Sequence, residues 1–99
     1  MSQDKHTTDV IFRRYKDGGL IALFPALPGT RDPFTCDSYQ TVGQHGAASA
    51  DLDGTKPARG ADVLALQREL EGLGYRLRIM KRFTKAHHSA RRAELGRKV

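Results

Sequence analysis

The sequence predicts an α+β domain: a mostly antiparallel sheet of three to five strands, one main amphipathic helix packed on it, and a basic C-terminal tail. Three observations carry that expectation. A run rich in β-branched and aromatic residues and a continuous apolar run flank Asp17-Gly18-Gly19, apolar residues at helical spacing occupy 60–72, and an alternating pattern follows at 75–83. With 99 residues, 38% of them hydrophobic, the chain suffices for one modest core and no second domain. A domain of this size buries a limited share of its surface, so sharing a sheet edge or an apolar face in a homodimer would add stability.

Residues 1–8 are polar and are expected to form a flexible N-terminus. Asp9 to Lys16 reads as a strand, Asp17-Gly18-Gly19 as a tight turn, and Leu20 to Phe24 as a central strand apolar on both faces. Pro25 and Pro28 end that strand, because proline cannot donate to a ladder. A third strand is expected over roughly Phe34 to Val42, with Thr35, Asp37, Tyr39 and Thr41 on one face. After the Gly43-Gln44-His45-Gly46 turn, Ala47 to Leu52 suggests a short fourth strand, and Asp53 to Pro57 another turn.

Val63, Leu66, Leu70 and Leu73 then form one helical stripe, which predicts a helix over Gly60 to Glu71 closed by Gly72 or Gly74. In Tyr75 to Phe83 the alternation puts Tyr75, Leu77, Ile79 and Phe83 toward a core and Arg76, Arg78 and Arg82 away from it. The domain is thus drawn at 9–83. Ala86, Ala90, Ala93 and Leu95 are too sparse for a packing face, so 84–99 is expected to be a frayed helix or disordered.

Charge is distributed unevenly. Residues 1–60 carry seven Lys/Arg against seven Asp/Glu and residues 61–99 carry ten against four, so the net charge of +6 lies entirely in the C-terminal part. Such a surface concentrates anions, including phosphates and acidic proteins. Cys36 stands alone and cannot form an intrachain disulfide. The N-terminal segment lacks an apolar stretch and the longest apolar run is too short for a bilayer, so neither secretion nor membrane insertion is expected and the location is read as cytoplasmic.

The arginine comb is the main binding candidate. Alternate residues on a strand lie about 6.5 to 7 Å apart, a spacing that suits successive phosphates, which guanidinium forks bind bidentately. Arg76, Arg78, Lys81, Arg82, Lys85, Arg91 and Arg92 make up the expected nucleic-acid footprint, with Tyr39 a stacking candidate if exposed. His45 between two glycines is the candidate general base or ligand, with Asp9, Asp51 and Asp53 as carboxylate partners. Oxygen ligands with one imidazole would suit Mg²⁺ or Mn²⁺ and phosphodiester hydrolysis, in which Asp9, Asp51 and Asp53 hold the metal. No cofactor is expected otherwise.

Val10-Ile11-Phe12-Arg13, Ile21 to Pro25, and Ser38-Tyr39 with Val42-Gly43-Gln44-His45-Gly46-Ala47 resemble a family of small uncharacterised bacterial and phage proteins. The likeness spans about Asp9 to Arg82 and implies a bacterial or mobile-element origin more than an activity. A second resemblance, at the level of fold, is to the compact, ferredoxin-like domains of Cas2-like nucleases, small basic dimers in which a first-strand aspartate binds metal. It implies that role for Asp9 or Asp17. The chain is therefore expected to bind DNA or RNA through phosphate contacts as a homodimer. The alternatives are a metal-dependent nuclease and an interaction module for an acidic protein.

Overall fold

The computed structural model describes residues 7–40, 45–58 and 60–97, the side chains of 45 and 97 excepted. Among these residues six strands and two helices follow in the order β1 (Thr7–Tyr15), β2 (Leu20–Phe24), β3 (Thr35–Tyr39), β4 (His45–Ser49), β5 (Thr55–Pro57), α1 (Leu64–Gly72), β6 (Arg76–Ile79) and α2 (Lys85–Arg97). They form an α+β domain built on one sheet. A 3₁₀ turn, Gly60–Val63, leads into α1.

β1 is the organising strand. It pairs antiparallel with β2 on one side, in the order β4-β3-β2-β1, and its other edge is shared by two short strands. β5 runs antiparallel along Arg13 to Tyr15, and β6 runs parallel along Thr7 to Val10. That pairing with β6 begins the strand at Thr7, two residues earlier than the composition suggests. The parallel direction follows from connectivity, since α1 carries the chain from one end of the sheet to the other before β6 begins. Asp53 to Pro57 is not only a turn. Its last three residues add to the sheet, with Arg13 reaching across to donate to Thr55 Oγ1 and O at 2.8 and 2.9 Å.

Alternation along β1 splits the core in two. Val10 and Phe12 join Ala22, Phe24 and Tyr39 beneath α1, where Val63, Leu66 and Leu70 close the layer. Each large side chain buried there contributes about 1.5 to 3 kcal/mol. Tyr75 stacks on Phe24 with ring centroids 5.2 Å apart, and the Tyr39 hydroxyl donates to the Glu69 carboxylate. Tyr39 is therefore a core residue, not an exposed stacking platform. Gly74 takes a φ of 105°, the left-handed conformation that ends α1.

On the opposite face Ile11, Ile21, Leu23 and Cys36 form a smaller core, with Met80 and Phe83 packed against it. Phe83 thus packs as its alternation predicts, but on the other side of the sheet from Leu77, because the strand ends at Ile79. Ile79 itself is 52% exposed, since β6 lies at the sheet margin and α1 does not reach over it.

Residues 84–97 depart furthest from expectation. Where the sparse apolar pattern predicts a frayed helix or disorder, α2 runs from Lys85 to Arg97 with His87 and Arg91 4% and 3% exposed. Polar anchors hold this helix, and apolar periodicity does not register them. Among the described residues no helix is long and apolar enough to cross a membrane.

Candidate nucleic-acid interface

The basic surface is built from β6, the loop after it, and the outward stripe of α2. Arg76, Arg78, Lys81, Arg82, Lys85 and Arg92 are all exposed. From 75 to 93 the chain has no carboxylate; Glu94 follows, and Arg78 is the member of this set that pairs with Asp9. Arg76 and Arg78, two apart on β6, share a face, and the parallel register sets Arg78 opposite Asp9. Lys85 and Arg92 are seven apart on α2 and therefore occupy one stripe, turned away from the stripe of His87 and Arg91.

The buried side of α2 explains why the outer side is held in place. Thr84 and His87 form a reciprocal cap in which His87 takes the part usually played by glutamate. The His87 amide donates to Thr84 Oγ1 at 3.2 Å, and the Thr84 amide donates to His87 Nδ1 at 3.0 Å. Because Nδ1 accepts, Nε2 carries the proton, and it faces Asp9 Oδ2 at 2.7 Å. Arg78 holds the same carboxylate with Nε 2.7 Å from Oδ1 and Nη2 3.2 Å from Oδ2. Burial pushes the Asp9 carboxyl up, but the bonds from Arg78 and His87 outweigh it and hold the group below its ordinary value of 3.8.

One turn further along, Arg91 points inward. Its Nη1 and Nε donate to the carbonyls of Pro25 and Pro33 at 2.5 and 2.8 Å, and its guanidinium lies 5.6 Å from the Phe83 ring centroid. These carbonyls belong to the loop where prolines stop β2, so the helix closes over a backbone that has left the ladder. Of the seven basic residues in the sequence footprint, Arg91 is the one that faces the interior. The others face solvent, with Arg78 66% exposed at its side chain even while bound to Asp9.

The acidic candidates are arranged differently. Asp9 lies at the β6 end of β1, with both carboxylate oxygens engaged by Arg78 and His87. Asp51 and Asp53 lie in the β4–β5 loop, where Asp51 Oδ1 accepts the Asp53 amide at 3.0 Å. That loop enters β5, which pairs with Tyr15, six residues along β1 from Asp9 and so about 20 Å away. Asp51 and Asp53 help line a groove of 780 Å³ with Tyr15, Ser38, Gln40 and Thr55. His45 backbone pairs with Tyr39 in β4, while its side chain and residues 41–44 lie outside the described residues. Among the described residues no three His, Cys, Asp or Glu side chains gather as a metal site.

Sequence reasoning missed His87 and did not assign Arg91 its structural part. The signals were present as Thr84-x-x-His87, the spacing of a capping box, and as His87 and Arg91 four apart on one helical face. The chain matches no protein-family model, and no curated protein or solved structure shows significant similarity to it.

Proposed function

We propose that the protein binds single- or double-stranded nucleic acid with little sequence preference, as a homodimer, through the exposed basic residues of β6, the following loop and the outer stripe of α2. One observation carries the reading: Arg76, Lys81, Arg82, Lys85 and Arg92 are exposed within a stretch of 75–93 that holds no carboxylate. Guanidinium and ammonium groups so placed neutralise phosphates and release counterions, a contribution that depends on salt and is indifferent to base sequence. Docking of His87 and Arg91 supports the reading further, because a basic helix fixed to the sheet meets a phosphate backbone without first paying the entropy of ordering.

Binding of labelled DNA and RNA oligonucleotides, measured across a salt series, tests this. The expected result is a linear fall of log K with log salt, with Arg76→Ala, Arg82→Ala and Arg92→Ala each reducing the slope by about 0.7 to 0.9. Absence of binding at low salt overturns the reading. Capture of an acidic protein that survives nuclease treatment would assign the surface to a protein partner instead.

A further inference from the structure

We propose that Phe34 is a stacking platform for one unpaired nucleobase, so that the basic surface takes single-stranded nucleic acid in preference to duplex. This rests on the nucleic-acid reading above, since the basic residues named there hold the phosphates of the same strand.

Phe34 is 69% exposed, whereas every other Phe and Tyr is buried or half-buried. A lone apolar side chain at a surface is ordinary, but this one is fixed in place and set among cations. The Phe34 amide donates to Asp32 Oδ1 at 2.9 Å, and its carbonyl accepts from the Ala50 amide at 2.7 Å. The carbonyl of Pro33, one residue earlier, accepts from Arg91 Nε at 2.8 Å. The ring is therefore carried on backbone anchored both to the sheet and to α2.

The Phe34 ring lies against His88, with centroids 5.4 Å apart and planes tilted by 39°, and the rest of its surface meets solvent. His88 is braced in turn, because Arg91 Nη2 donates to its Nδ1 at 3.3 Å. Being three residues from Lys85 and four from Arg92, His88 neighbours both on the helix surface. Along the axis it falls between them, Lys85 and Arg92 being about 10 Å apart. An exposed cation thus flanks the ring pair on each side. The nearest acid in sequence is Asp32, which accepts the Phe34 amide and follows the exposed Arg31.

This combination selects the occupant. The cations attract phosphates, while the phenyl ring offers a ligand only an apolar π-face, which suits the flat face of a base. In a duplex the bases cover one another, so an unstacked base from a single strand is the one that fits. Every base has such a face, in keeping with little sequence preference. Tyr39, the stacking candidate by sequence, is in the core, and Phe34 on the surface is the aromatic that remains available.

Titration of single-stranded and duplex oligonucleotides of the same sequence across a salt series tests the site. Wild type is expected to bind the single strand more tightly. Phe34→Ala and Phe34→Leu should each weaken single-strand binding by about 5- to 150-fold at every salt concentration, leaving the slope of log K against log salt and the duplex affinity unchanged. Phe34→Tyr, which keeps the ring, should bind like wild type. Phe34→Trp gives a readout that needs no truncation. The chain has no tryptophan, so the fluorescence of this variant reports the one position and should be quenched by the single strand and not by duplex. Equal wild-type affinity for the two forms, a Phe34→Leu variant that binds as tightly as wild type, or Phe34→Trp fluorescence indifferent to the single strand each overturns the platform, and salt-dependent binding would still support the basic surface. If wild type binds neither form at low salt, the nucleic-acid reading falls and the platform with it.

Discussion

Asp9 on the first strand and His87 on the last helix meet at 2.7 Å, joining two segments 78 residues apart. Asp9 accepts a hydrogen bond from Nε2–H while Nδ1 accepts one from the Thr84 amide, so both ring nitrogens serve the fold. An imidazole used in this way fastens the helix to the sheet. His87→Ala removes the clasp and one arm of the cap. We expect a loss of about 2 to 3 kcal/mol by urea denaturation, with less helical signal, and Thr84→Ala should cost about 1 kcal/mol. In a double-mutant cycle Asp9→Ala and His87→Ala should cost less together than the sum of their separate effects. Additive losses would mean the bond contributes nothing.

Acid should open the same junction. The folded Asp9 carboxyl titrates below its ordinary value of 3.8, so the unfolded chain binds a proton more readily than the folded one. The stabilisation is complete well above pH 3.8 and is lost as the pH falls through the lower folded value. Asp9→Asn should flatten the pH dependence of stability in that acidic window and leave its shape near neutrality unchanged. Thermal melts across a pH series check this.

Arg91 and Arg92 are adjacent and basic, and should respond in opposite ways. Arg91→Met strands the Pro25 and Pro33 carbonyls beneath the helix, and should cost about 2 to 3 kcal/mol of stability. Arg92→Ala, on the exposed stripe, should leave the melting temperature within a degree or two and lower the salt slope of nucleic-acid binding. Equal effects on stability would contradict the inward and outward assignment.

A methyl group at Gly29 would lie 2.5 Å from the Cys36 carbonyl oxygen and 2.8 Å from the Ala47 Cβ. Gly29→Ala should therefore destabilise the protein by about 1 to 3 kcal/mol through forced displacement of the loop from β3 and β4. Cys36 reports on the same region. Burial raises its thiol to about 11, so at pH 8 alkylation should be slow in the wild type. In Gly29→Ala it should accelerate.

Local pattern determined much of this molecule: the hairpin about Asp17-Gly18-Gly19, the apolar second strand that prolines end, and the Val63–Leu66–Leu70 stripe of the helix. Each is written in neighbours within a turn or a pleat, where periodicity and backbone preference act. The net positive charge of the C-terminal part was likewise legible, because composition is additive along the chain. Only the tertiary structure decided that β6 runs parallel to β1 and that Tyr39 is buried against α1. It also decided that Asp9 is bound by Arg78 and His87, about 20 Å along β1 from the end where the Asp51–Asp53 loop enters the sheet. It separated Arg91 from Arg92 as well, since one turn of helix presents adjacent residues to different surroundings. The physical reason is the same in each case: a charged side chain becomes structural or available according to the partner that folding brings to it, and that partner lies dozens of residues away.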